Sequence, residues 1–184
     1  MASVLIPLAQ GCEELEAITI VDLMRRAGFN VVTAGLTNEP VKASRGTTII
    51  ADALLEDVIN NDYDMVVLPG GLPGADNLND CQILHHKLIE MNAENKWLAA
   101  ICAAPKVLAS AGLLKGKKAT SFPGSLEGYD LSETEYVEEA VVVDGKLITS
   151  RGPGTAMDFA LTLIELLEGK KKRDAVEKPL QRPA

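Results

Sequence analysis

Short apolar runs alternate along this chain with longer stretches whose apolar residues recur every three or four positions. Ser3 to Leu8 reads as a buried strand ended by a Gln10-Gly11 turn. Asn30 to Gly35, Thr47 to Ala51, Met65 to Leu68 and Trp97 to Ile101 repeat that signature. Between them, Glu13 to Ala27 predicts a helix with Leu15, Ile18, Leu23 and Met24 on its apolar face. Acidic residues open it, Arg25-Arg26 close it, and Gly28 ends it. Cys81 to Asn92 and Lys106 to Leu114 are further helices. Lys118 to Ser121 and Ala140 to Val143 are short strands, and Asp144-Gly145 turns the second back into Leu147 to Ser150. Thr155 to Leu167 is an amphipathic helix with Gly169 past its end. Apolar strands alternating with helices predict an α/β fold, a mainly parallel sheet covered on both faces. No repeat, low-complexity tract or long linker divides residues 1–184, so a single domain is expected.

Composition sharpens this picture. The hydrophobic fraction is 47% but aromatics are only 4%, so Val, Ile, Leu and Ala must fill the core. A net charge of -8 repels polyanions, and no nucleic-acid partner is expected. Lys170-Lys171-Lys172-Arg173 reads as the solvated last turn after a helix. No apolar leader opens the sequence and no run approaches the roughly 18 apolar residues of a membrane span, which predicts a cytoplasmic chain without a membrane partner. Cys12, Cys81 and Cys102 form no metal-ligand cluster and read as free thiols, so neither metal nor cofactor is expected.

Ligands of open parallel sheets collect beyond the carboxyl ends of the strands. Three candidate segments lie there. In Ala99 to Pro105 a buried strand runs into a helix at Cys102, with small residues Ala100 and Ala104 two places to either side. That is the pattern of a nucleophile elbow with Cys for Ser, and Pro105 suits the first helical turn. Amides at a helix N-terminus would favour thiolate there. The same spacing also fits a buried structural cysteine. Gly70-Gly71 after the Met65 strand suits either an oxyanion-binding backbone or an ordinary strand-ending turn. Glu13, Glu14 and Glu16 open the first helix; the dipole explains the first two, whereas Glu16, one turn further in, could exchange a proton with a thiol, although its position alone favours an ordinary first-turn carboxylate. Ser150 to Thr155 could cap an anion or simply turn the chain, and His85 and His86 read as surface residues.

Taken together, Gly11 to Glu16, Val21 to Gly28, Ala43 to Gly46, Val67 to Gly71, Ala99 to Pro105 and Thr149 to Thr155 resemble the ThiJ/PfpI superfamily, in its DJ-one branch. The resemblance implies a flavodoxin-like three-layer sandwich that forms a homodimer. It implies Cys102 as nucleophile, Glu16 as its acid/base, and the backbone N–H groups of Gly71 and Ala103 as oxyanion donors beside a turn shaped by Gly70. Arg45, Arg26 and Pro153 would lie around the dimer interface and an anion position. The implied activity is a cofactor-free glyoxalase or deglycase acting on methylglyoxal, glyoxal or their early adducts, including glycated protein, to give 2-hydroxy acids. A redox sensor or oxidative-stress chaperone working through Cys102 is the alternative. Where some relatives carry a His before a Pro, this chain has Ser121-Phe122-Pro123, which implies weaker aldehyde processing. Peptidase-like relatives place a His directly after the nucleophile; Ala103 stands there and argues against proteolysis.

Overall fold

The computed structural model describes residues 1–182. In chain order its first elements are β1 (Ser3–Leu8), α1 (Glu14–Arg26), β2 (Asn30–Gly35), β3 (Val41–Lys42), β4 (Thr48–Ile49), β5 (Ala53–Leu54), α2 (Leu55–Val58) and β6 (Met65–Leu68). They are followed by α3 (Gly74–Asn79), α4 (Gln82–Ala93), β7 (Trp97–Ile101), α5 (Pro105–Ser110), β8 (Lys118–Ala119) and β9 (Glu135–Tyr136). β10 (Val141–Asp144), β11 (Leu147–Ser150), α6 (Ala156–Glu168) and α7 (Lys170–Glu177) complete the fold. Seven strands form one sheet in the order β10-β11-β7-β6-β1-β2-β5. Only the β10–β11 hairpin is antiparallel.

Alternation along the strands builds two cores. Val4, Ile6, Met65, Val67, Ala99 and Ile101 point to one face and meet Ile20 and Met24 of α1 and Phe159 and Leu163 of α6. Leu5, Val66, Leu68, Leu98 and Ala100 point to the other and meet Leu84 and Leu88 of α4 and Val107 and Leu108 of α5. Because both faces are covered, the central strands carry no polar side. The result is a flavodoxin-like sandwich of helix, sheet and helix. No helix among the described residues is long and apolar enough to cross a membrane.

Four expectations are corrected. The buried face of α1 is Glu16, Ala17, Ile20, Val21, Leu23 and Met24, while Leu15 and Ile18 face outward, 51% and 46% exposed. The Thr47–Ala51 run yields only β4, which pairs with β3 outside the main sheet because its residues are largely exposed. Lys118–Ser121 contributes β8, paired with β9 and not with the main sheet. Finally, Lys170–Arg173 opens a helix of its own: Gly169, at φ 84°, breaks α6, and α7 starts directly after it. Ion pairs at helical spacing hold it: Lys170 with Asp174, Lys172 with Glu168 at 3.3 Å and Arg173 with Glu177 at 3.0 Å.

Candidate active site

β1 is bonded to β2 on one side and β6 on the other, so the chain order reverses there and a crevice opens beyond the strand ends. The loops after β1, β6 and β7 converge on it. Cys102, directly after β7, has φ 63°, a backbone conformation that non-glycine residues rarely adopt. Both of its peptide groups are pinned. Its N–H donates to the Ser150 carbonyl at 2.9 Å, and its carbonyl accepts from the Phe122 N–H at 2.8 Å and the Ser125 hydroxyl at 3.3 Å. The elbow predicted from Ala100 and Ala104 is therefore present, with Pro105 as the first residue of α5.

Gly70 brings the thiol and a carboxyl together. A Cβ on Gly70 would lie 2.6 Å from Cys102 Cβ and 2.8 Å from Glu16 Oε2, so only glycine leaves room for both side chains at this point. The Gly70 N–H donates to Glu16 Oε2 at 2.8 Å. Glu16 is fully buried, and its Oε1 has no hydrogen-bond partner among the described residues. Gly71 has φ +89°, and a Cβ there would meet Glu13 N at 2.3 Å; its N–H and that of Ala103 both face the Cys102 sulfur.

Protonation of the two groups is coupled. Burial raises the Glu16 carboxyl from 4.5 to about 7 against the opposing pull of the Gly70 N–H and the thiol. Burial, followed by the Glu16 charge, pushes the Cys102 thiol up to about 12, while the N–H groups of Gly71 and Ala103 draw it down. The amides favour thiolate, as the sequence suggests, but burial and the Glu16 charge outweigh them. Moving the thiol proton to Glu16 removes the carboxylate's push and leaves the thiolate facing two amides. Cys102 and Glu16 therefore titrate as an interacting pair.

The thiol, 8% exposed, opens into a cavity of about 830 Å³ lined by Glu13, Arg45, Gly71, Ala103, Lys106, Phe122 and Pro153 among others. Arg45 and Pro153 are thus placed at the site. Arg26 is not: it pairs with Asp22 at 2.7 Å, ten residues beyond Glu16 on α1, or ~15 Å along the axis at 1.5 Å per residue. Neither His85 nor His86 lines the cavity; both are on α4. Phe122 of the Ser121-Phe122-Pro123 segment also lines it. Among the described residues, no group of three or more His, Cys, Asp or Glu side chains is arranged to hold a metal ion.

The DJ-1/PfpI family profile matches residues 2–166. The chain belongs to the DJ-1/PfpI family. Among DJ-1/PfpI relatives, protein dj-1beta of Drosophila melanogaster is 45% identical over 180 residues, covering 97% of this chain and 96% of that protein. The glutathione-independent glyoxalase DJR-1.2 of Caenorhabditis elegans is 36% identical, covering 97% and 95%. The chain spans less than half the length of protein DJ-1 homolog A of Arabidopsis thaliana, at 43% identity over 95% of this chain and 45% of the relative. Crystallised Drosophila DJ-1beta superposes with a TM-score of 0.94 at 44% identity, covering 100% of this chain and 99% of that one. Oxidized Toxoplasma gondii DJ-1 gives 0.94 at 39%, covering 100% of both chains.

Sequence reasoning missed two contributors to this DJ-1/PfpI site. Glu13 was assigned to the helix dipole, yet it is buried in the cavity wall, accepting from the Ser44 hydroxyl at 2.7 Å and donating its N–H to Gly70 O at 2.9 Å. Glu14, likewise assigned to the dipole, accepts the Arg45 N–H at 3.0 Å and so fixes the loop that carries Arg45. The adjacent Ala43-Ser44-Arg45-Gly46 segment was the available signal for both.

Proposed function

We propose that this protein is a cysteine-dependent, cofactor-free glyoxalase or deglycase of the cytoplasm, acting as a homodimer on methylglyoxal, glyoxal and their early adducts. The reading is carried by the placement of Cys102 and Glu16 against the same point of Gly70, with the Gly71 and Ala103 amides facing the sulfur. The activity named for the nematode relative supports it. Cys102 first passes its proton to Glu16. The thiolate then adds to the aldehyde carbon of methylglyoxal, and the carbonyl electron pair moves onto oxygen under the two amides. Glu16 returns its proton to that oxygen, completing a hemithioacetal, and becomes a carboxylate. It then removes the hydrogen of the former aldehyde carbon as a proton and delivers it to the neighbouring carbon, while the hydroxyl proton of the first carbon passes to the oxygen of the second. The first carbon is now a thioester and the second carries a hydroxyl. Water cleaves the thioester, releasing lactate and the thiol, so the net change is addition of one water. Phe122 supplies no proton, which leaves Glu16 to carry each transfer and makes turnover slow.

Cys102→Ser brings methylglyoxal consumption to the buffer background, and Glu16→Gln lowers kcat about 100-fold or more, the scale of a lost general acid/base. Consumption unchanged in either variant overturns the mechanism.

The oxidized form of the T. gondii relative favours a second reading, redox sensing through the same thiolate. Attack on peroxide oxygen expels hydroxide and gives sulfenic acid; a second equivalent gives sulfinic acid. Cys12, fully buried where Cys102 is 8% exposed to the cavity, should resist. Peptide mass spectrometry after mild peroxide should find two oxygens on Cys102 well before Cys12 or Cys81 changes; parallel oxidation of all three argues against sensing.

A further inference from the structure

Lys106 is the second residue of α5 and lines the cavity that holds Cys102. Its Nζ lies 2.7 Å from Asp76 Oδ1, and its side chain is 14% exposed against 53% for Asp76. That pairing occupies one of three ammonium donors and holds the charge in the cavity wall. The only other cation lining the cavity among the described residues, Arg45, is exposed, where salt screens it. Of the acidic lining residues, Glu13 is tied to Ser44, and Glu127 is exposed.

The cavity is also larger than a three-carbon dicarbonyl requires. About 830 Å³ lies within the range of pockets that enclose much bigger ligands. Phe122, Tyr129, Leu72 and Pro153 give its lining an apolar part suited to a connecting chain or ring. A chain of net charge -8 repels anions in general, so an anionic group reaching Cys102 needs a local cation that solvent does not screen.

We propose that Lys106 is a specificity-determining residue that selects carbonyl compounds bearing a carboxylate beyond the carbonyl attacked by Cys102. The proposal rests on the reading of Cys102 as nucleophile, and one test separates them. Iodoacetate and iodoacetamide are nearly the same size and differ by one charge. In each, the Cys102 thiolate forms an S–C bond as the C–I bond breaks and iodide leaves, without any dicarbonyl turnover. The ratio of their second-order rates at Cys102, followed by peptide mass spectrometry at low salt, reads the local charge.

Lys106→Met should lower the iodoacetate-to-iodoacetamide ratio by about fivefold or more, and Lys106→Arg should hold it within about twofold, as expected for a lost or retained charge near the sulfur. Asp76→Asn should raise the ratio, because it frees the Lys106 charge. A purely structural α3–α5 tie predicts the same direction for Lys106→Met and Asp76→Asn, and that result, or an unchanged ratio in Lys106→Met, overturns the proposal. Failure of both reagents to modify Cys102 overturns the nucleophile and Lys106 together. Comparing kcat/KM for 4-carboxyphenylglyoxal and phenylglyoxal then carries the test to turnover. The carboxylated substrate should be favoured by wild type and lose that preference in Lys106→Met. No turnover of either, with the alkylation ratios as stated, refutes the glyoxalase reading and leaves the selection of anions by Lys106 standing.

Discussion

At Glu16 a buried carboxyl trades stability for chemistry. An unfolded carboxyl titrates near 4.5, and burial moves this one to about 7. Between those values the folded chain binds more protons than the unfolded one, so stability falls as pH rises and levels off above 7. Glu16→Gln keeps the shape and removes the charge. At about 1.4 kcal/mol per unit, it should be more stable than wild type by roughly 3–4 kcal/mol above pH 7, with no such gain below 4.5. Urea unfolding at pH 4 and pH 8 measures this; an equal increment at both pH values contradicts it. Residue types around strand ends made Cys102, Gly70 and Gly71 candidates, because an elbow needs small neighbours and a close turn needs glycine, but the roles of these residues and of Glu16 came from the family resemblance. The raised Glu16 carboxyl could not be read, since it depends on how deeply packing buries that side chain. The same is true of Glu13, whose cavity position comes from Ser44 on a distant loop.

Among the elements, α1 is the most instructive. Periodicity placed Leu15 and Ile18 on the core face, but the helix is rotated so that Glu16 and Ile20 are buried. That rotation aims Glu16 at the thiol and leaves two apolar side chains exposed one turn apart. An exposed apolar pair on the outer face of this helix supports the homodimer proposed above. Ile18→Glu should shift the protein from dimer to monomer in light scattering coupled to size exclusion, with cysteine alkylation retained. A wild type that runs as a monomer at micromolar concentration removes the proposal. The long helices and the central strands were legible because each repeats a period. β3, β5, α2 and α3 are two to six residues long, too short to show one. α7 was hidden because its charged sequence buries only Val176 and is stabilised by ion pairs across turns.

On the scale of the whole molecule, the strand order puts three loops at one end of the sheet and sets the cavity above β1, β6 and β7. The α/β class followed from the alternation of elements. The position of the two small strand pairs outside the sheet did not, because strands of two residues show no period that specifies a partner face. All other features converge on the thiol that the sheet presents. The most direct measurement is incubation of wild type and Cys102→Ala with methylglyoxal, with the product identified by NMR. The account predicts lactate formed catalytically by wild type and not above buffer by Cys102→Ala. Background conversion by wild type, or equal lactate from both, contradicts it.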